Sequence, residues 1–280
     1  MTFIFFTLRL FAILAVCLYV AASAFLYFNQ AQYLFPGAFM PFPPELEGFG
    51  EQSGLQQAQI KASDGETLFA LHHPPMEGKP IVIVFHGNAS YPEAYGFLYG
   101  DWIASGYGIV AAAARGYPRS SGAPEGEKML ADALDIYDWA AKHYTGHPVF
   151  VFGQSLGTSP AIHLAAHRKV EGVVLISPFK SMLSLAQNKL GYFPVWLLLR
   201  SPFRSDLDIE KVTVPILILH GDRDELIPIT SAQELAAAAK TKVAFETVGG
   251  AGHNNGLFAP DMVDRINRFI GIGGQSAEIR

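Results

Sequence analysis

Ser155 lies in Phe152-Gly153-Gln154-Ser155-Leu156-Gly157, a Gly-x-Ser-x-Gly frame with an apolar run before it and a helix-like run after it. A serine so placed sits on a sharp strand-to-helix turn, its hydroxyl presented at the end of a sheet where it can attack a carbonyl carbon. The flanking glycines suit a turn too crowded for side chains. A hydroxyl is a poor nucleophile until a base takes its proton, and in this kind of site the acid and then the histidine follow the serine in the chain. The apolar run at 214–219 opens into His220-Gly221-Asp222-Arg223-Asp224. Asp224, deeper in that loop, is the acid expected to reach a histidine; turn formation accounts for Asp222. His253 follows a strand expected at 242–248, in the glycine-rich Gly249-Gly250-Ala251-Gly252-His253, and is the candidate base. Of the nine histidines, His72, His73, His143, His147, His163 and His167 read as structural or exposed. His86 and His220 read as strand-end residues held by packing or turn geometry.

Acyl transfer also needs donors aimed at the oxygen that turns negative in the tetrahedral intermediate. The backbone N–H of Leu156, next after the serine, is one candidate. The strand at 81–85 leads into His86-Gly87-Asn88-Ala89, where Gly87 is expected to permit close backbone approach. Asn88 N–H is the second candidate donor.

The elements that must position these groups follow from periodicity. Residues 56–62 and 67–73 flank Ser63-Asp64-Gly65-Glu66 and read as a β-hairpin. Strands at 81–85, 109–113, 149–152 and 172–176 then alternate with helices at about 91–105, 127–143 and 155–167. With 214–219 and 242–248 this predicts an α/β fold: a mostly parallel eight-stranded sheet with helices on both faces. Residues 177–211 break the rhythm with Phe179, Met182, Leu185, Leu190, Phe193 and Trp196. A connection of that length reads either as an apolar cap over the serine or as a crossover packed on the sheet.

The amino-terminal run is the second strong signal. Residues 10–28 carry no charge, and as a helix they extend about 28 Å, close to a bilayer's hydrocarbon core. Arg9 lies before the run, and no Lys or Arg follows until Lys61. The positive-inside rule then places the catalytic domain on the extracytoplasmic side of a single-pass anchor. Ala22-Ser23-Ala24 offers the rival reading of a cleaved signal peptide, against which the apolar run continues through Phe28. The expected organisation is an anchor at 1–28, a proline-bearing connector at 29–54 and a catalytic domain at 55–272, with 177–211 as a cap-like insertion. A net charge of −5 gives no footprint for nucleic acid, and the single cysteine, Cys17, excludes an intramolecular disulfide and a cysteine metal cluster.

Five motifs in order carry a resemblance: His86-Gly87-Asn88-Ala89, Arg115-Gly116-Tyr117, Gly153-Gln154-Ser155-Leu156-Gly157-Thr158, His220-Gly221-Asp222-Arg223-Asp224 and Gly250-Ala251-Gly252-His253-Asn254. From about residue 33 to 270 the chain resembles the α/β-hydrolase superfamily. Within it the likeness is to membrane-anchored α/β-hydrolase-domain proteins, a group that includes protein depalmitoylases and lysophospholipid lipases. The resemblance implies Ser155 as nucleophile, Asp224 as acid and His253 as base, with no metal and no cofactor. Its implied substrates are carboxylic esters or thioesters of acyl chains. Two departures bear on substrate preference: Ala113-Ala114 replaces the family's Asp-Tyr before Arg115, and Asn255 stands where aspartate is common. A peptidase with the same triad and a non-catalytic binding protein on the same fold are the alternatives.

Overall fold

The computed structural model describes residues 2–271, so the expected domain end at 272 lies just outside the described residues. A long helix, α1 (Thr2–Leu34), opens the chain. The short α2 (Phe49–Gln52) precedes the antiparallel pair β1 (Gln56–Lys61) and β2 (Thr67–His73). Next come β3 (Ile81–Phe85), α3 (Gly96–Ala104), β4 (Gly108–Ala112) and α4 (Gly126–His143). They are followed by β5 (Val149–Gln154), α5 (Thr158–His167) and β6 (Gly172–Ile176). Three short helices, α6 (Met182–Leu190), α7 (Val195–Leu198) and α8 (Ser205–Ile209), lead to β7 (Ile216–Gly221). The last elements are α9 (Ile229–Ala238), β8 (Val243–Val248) and α10 (Pro260–Phe269).

Among the described residues eight strands form one sheet, in the order β1-β2-β4-β3-β5-β6-β7-β8. Only β2 runs against its neighbours; β4, β3 and β5 to β8 are mutually parallel. Successive side chains of a strand point to opposite faces, which explains why the central strands read as unbroken apolar runs. In β3, Ile81, Ile83 and Phe85 share one core with Ile136 of α4, Ile162 of α5, Ile209 of α8 and Leu235 of α9. Val82 and Val84 face a second core with Trp102 of α3 and Ile266 of α10. A third, smaller cluster holds Phe35, Tyr117, Leu156, Phe179, Phe203 and Ile227. It closes the carboxyl end of the parallel strands, where ligands bind in open α/β sheets.

The sequence and the fold differ in instructive places. The connector is more regular than its prolines suggest. Helix α1 continues past Phe28 to Leu34, and Pro36 and Pro44 each begin a 3₁₀ turn. Proline suits the first position of such a turn, because that N–H has no partner within it. The stretch at 177–211 contains both of the elements expected as alternatives. Helix α6 buries none of its side chains in the core, whereas α8 delivers the fully buried Ile209 to the layer under the sheet. Helices α6 and α7 thus form the outer part of the stretch, on the side where a cap is expected, and α8 packs as a crossover would.

Candidate active site

The turn after β5 is built as the glycines imply. Ser155 takes a left-handed backbone conformation, φ 50°, uncommon for a residue with a side chain. A Cβ at Gly157 would stand 2.2 Å from the carbonyl oxygen of Phe85, and one at Gly153 2.5 Å from that of Gly157. Neither neighbour is a side chain that can swing away. The first turn after the strand, Ser155–Gly157, is 3₁₀, and α5 proper begins at Thr158, whose hydroxyl donates to Ser155 O at 2.6 Å.

His253 lies between Ser155 and Asp224. Its Nδ1 is 2.7 Å from Asp224 Oδ2 and its Nε2 is 2.9 Å from Ser155 Oγ. An ionised carboxylate only accepts, so Nδ1 carries the proton and donates to Asp224; Nε2 is left to accept from the serine hydroxyl. That is the tautomer a general base for Ser155 requires. Asp224 Oδ1 accepts from the N–H groups of Leu226 at 3.0 Å and Ile227 at 2.8 Å. Burial alone would raise the Asp224 pKa, but the hydrogen bonds from His253 and Ile227 outweigh it and hold the carboxyl below its ordinary range. Asp222 instead accepts from Gly250 N–H at 2.7 Å, tying the loop after β7 to the loop after β8.

The histidine loop crosses the end of β7 closely. A Cβ at Gly221 would lie 2.2 Å from Ala251 O, so this glycine lets the loop settle over the strand end. Asn255 Oδ1 accepts from Gly252 N–H at 2.7 Å, which braces the residue before His253. Beneath Asp224, the fully buried His220 bonds Ile227 O through Nε2 at 2.9 Å, and burial lowers its pKa.

Asn88 and Leu156 both line the cavity above Ser155. Gly87 is not there for space: a Cβ on it would meet Gln154, Ser155 and Tyr95 at an ordinary 3.7 Å. The loop is positioned by groups to which the sequence reading gave no role. Tyr95 OH accepts from Gly87 N–H at 2.9 Å and donates to Gln154 Oε1 at 2.6 Å. Tyr117 OH donates to Asn88 Oδ1 at 2.5 Å, and Asn88 Nδ2 donates to Leu34 O at 2.7 Å. Tyr117 was visible within Arg115-Gly116-Tyr117; Tyr95 gave no signal, being one aromatic in an unremarkable helical stretch. Arg115 itself forms ion pairs with Asp64 and Asp132, away from the serine.

His86 is a buried structural histidine with a measurable consequence. Its Nδ1–H donates to Gly87 O at 2.7 Å and its Nε2 accepts from Ala114 N–H at 2.9 Å. Burial pushes this imidazole down to about 4, the bond to Gly87 opposing only in part. An unfolded histidine titrates near ~6.5. Between that pH and 4 the unfolded chain therefore binds a proton that the folded chain refuses, and stability falls as pH drops. His86 contributes about 3 kcal/mol of this loss once the window has been crossed. His220 adds to it in the same direction. Thermal melts of His86→Gln between pH 7 and 4.5 should show a pH dependence smaller by about one proton than wild type. An unchanged slope would remove His86 from the explanation.

The cavity over Ser155 measures about 510 Å³, within the range of small-molecule sites. Its walls are apolar: Phe179, Met182, Leu185 and Phe193 from the cap side, Leu226 and Ile227 from the acid loop, and the end of α1. Lys189 is the one charged group among the described residues that line it. The arrangement suits a hydroxyl nucleophile with an oriented base beneath a hydrocarbon-accepting chamber.

Residues 77–206 match the family model described as serine aminopeptidase, S33. The uncharacterized protein Rv2307c of Mycobacterium tuberculosis is 30% identical over 217 residues, covering 75% of this chain and 77% of that protein. The lysophosphatidylserine lipase ABHD12 of Gallus gallus is 28% identical over 223 residues; the match covers 69% of this chain and 58% of the lipase. Among solved structures, the esterase Pf2001 of Pyrococcus furiosus superposes with a TM-score of 0.67 at 20% identity, covering 82% of this chain and 93% of the esterase. At that identity the likeness speaks for the fold.

Proposed function

The chain belongs to the α/β-hydrolase superfamily, and we propose that within it this protein is a membrane-anchored serine hydrolase cleaving esters or thioesters of acyl chains. The observation that carries this reading is His253, within hydrogen-bonding distance of both Ser155 Oγ and Asp224 under an apolar chamber. Ser155 Oγ attacks the carbonyl carbon while His253 Nε2 takes its proton, and Asp224 stabilises the imidazolium that forms. The backbone N–H groups of Asn88 and Leu156 receive the developing oxyanion. His253 then protonates the leaving alcohol or thiol, an acyl-Ser155 ester remains, and water repeats the sequence to release the acid.

The substrate class rests on the walls. A linear hydrocarbon chain is stabilised by about 0.8 kcal/mol for each buried methylene, and the chamber offers it the side chains of Phe179, Met182, Leu185, Leu226 and Ile227. The lysophosphatidylserine that names the lipase relative is an ester of a single acyl chain, the same chemical class. Helix α1 is apolar and long enough to cross a bilayer, and the distribution of Arg9 and Lys61 supports a catalytic domain on the extracytoplasmic side.

The family model's description raises aminopeptidase activity as a second reading. An aminopeptidase must hold a charged amino terminus beside the scissile bond, which calls for a carboxylate facing the substrate. Among the described residues lining the chamber there is none, and the only ionic group is a cation, Lys189. Full-length protein in detergent micelles, offered p-nitrophenyl esters, acyl thioesters and aminoacyl anilides, should turn over the first two and leave the anilides nearly untouched. Faster cleavage of anilides than of any ester would reverse the assignment.

A further inference from the structure

Helix α1 divides along its length. Residues 3–21 are exposed throughout, and they include the first part of the charge-free run that begins after Arg9. From residue 22 onwards one face is partly covered: Ala22, Ser23, Leu26, Tyr27, Gln30, Ala31 and Leu34 recur at helical spacing and are no longer exposed. That face is docked on the catalytic domain. Leu26, Tyr27, Gln30, Tyr33 and Leu34 line the chamber over Ser155.

The docking is specific. Gln30 Nε2 donates to Leu198 O at 3.1 Å, and its Oε1 accepts from Arg200 N–H at 2.8 Å, clamping α1 to the end of α7. At the other end of the contact, Tyr19 OH donates to Tyr192 O at 2.9 Å, and its ring stacks on Phe193 at 5.4 Å. Tyr19 belongs to the exposed apolar part of α1. The α6–α7 turn therefore reaches back along the helix to the depth of the hydrocarbon core. Tyr192, Trp196 and Leu197 of that turn and helix are 91%, 69% and 64% exposed, which water disfavours and lipid does not.

We propose that the last turns of α1 form a wall of the substrate site, and that a single acyl chain reaches it sideways from the bilayer along α1. This rests on the serine-hydrolase reading and specifies how its substrate arrives. The anchor thus shapes the site as well as localising it. Asn88, whose side chain bonds Leu34 O, ties the same helix end to the loop carrying a candidate oxyanion donor.

The test uses the full chain in phospholipid vesicles. Leu26→Trp places bulk into the chamber from the helix side, and Leu18→Trp adds the same group on the lipid-facing part. For Leu26→Trp the ratio of kcat/KM for a palmitate ester to that for an acetate ester should fall about tenfold or more, as expected when a few methylenes are kept out. Leu18→Trp should leave the ratio at the wild-type value. In vesicles of brominated lipid, Trp196 fluorescence should be quenched, seen as quenching lost in Trp196→Phe. A Leu26→Trp ratio equal to wild type, or a Trp196 that brominated chains fail to quench, overturns the proposal. A wild-type protein that cleaves neither ester overturns the hydrolase reading instead, and is recognised because it fails before any variant is compared.

Discussion

Replacing Ser155 with alanine is expected to lower kcat for ester hydrolysis by about 10⁶-fold, the scale seen when a triad nucleophile is deleted. So large a loss is expected because the proposed mechanism forms its covalent bond at Ser155 Oγ, and without that atom His253 loses the hydroxyl 2.9 Å from its Nε2. Folding should be little affected: alanine inherits the φ of 50° without relieving it, and the space-critical positions are Gly153 and Gly157. Initial rates on a short-chain p-nitrophenyl ester, with thermal melts of the same preparations, check both parts. Retention of more than a few per cent of wild-type activity would assign the nucleophile to another residue.

Asp224→Asn should cost about 10⁴-fold in kcat through the tautomer of His253. Asp224 Oδ1 is held by two N–H donors, from Leu226 and Ile227. An asparagine keeps those bonds only by placing its carbonyl oxygen there, which turns its NH₂ toward His253 Nδ1. Nδ1 must then accept, the ring proton moves to Nε2, and Nε2 can no longer take a proton from Ser155. Activity of the variant should recover partly at high pH, where the serine proton is lost more readily to solvent base. A variant with near wild-type kcat at neutral pH would show that Asp224 does not set the ring's orientation.

Much of this was legible in the residues because local chemistry determined it. The serine turn needs glycine two before and two after Ser155, and a strand buried on both faces needs a continuous apolar run; such constraints are written locally. Distance from the strand end separated Asp224 from Asp222 as the proposed acid, and the two aspartates take different partners, His253 and Gly250. What stayed hidden depends on contacts distant in sequence. Asn88 was read for its backbone N–H, while its side chain accepts from Tyr117, 29 residues on, and donates to Leu34 at the end of α1, 54 residues back. Gly87 was read as a space-maker, and there is room for a Cβ. Composition marks α1 as a bilayer helix, but not that its docked face begins at Ala22 or that its end walls the chamber. Asn29, Gln30 and Gln32 break the apolar run near the end of α1, and of these Gln30 bonds Leu198 O at the end of α7 and Arg200 N–H just beyond it.

The proposed mechanism depends on one bond, between Ser155 Oγ and an electrophile, formed as His253 removes the proton. Full-length protein treated with a fluorophosphonate and digested for mass spectrometry reads that bond directly. The adduct should fall on the peptide containing Gly153-Gln154-Ser155-Leu156-Gly157, on Ser155, at one equivalent per chain, and His253→Ala should slow its formation severely. An adduct on any other side chain, or labelling of Ser155 at an unchanged rate without His253, would contradict the catalytic assignment.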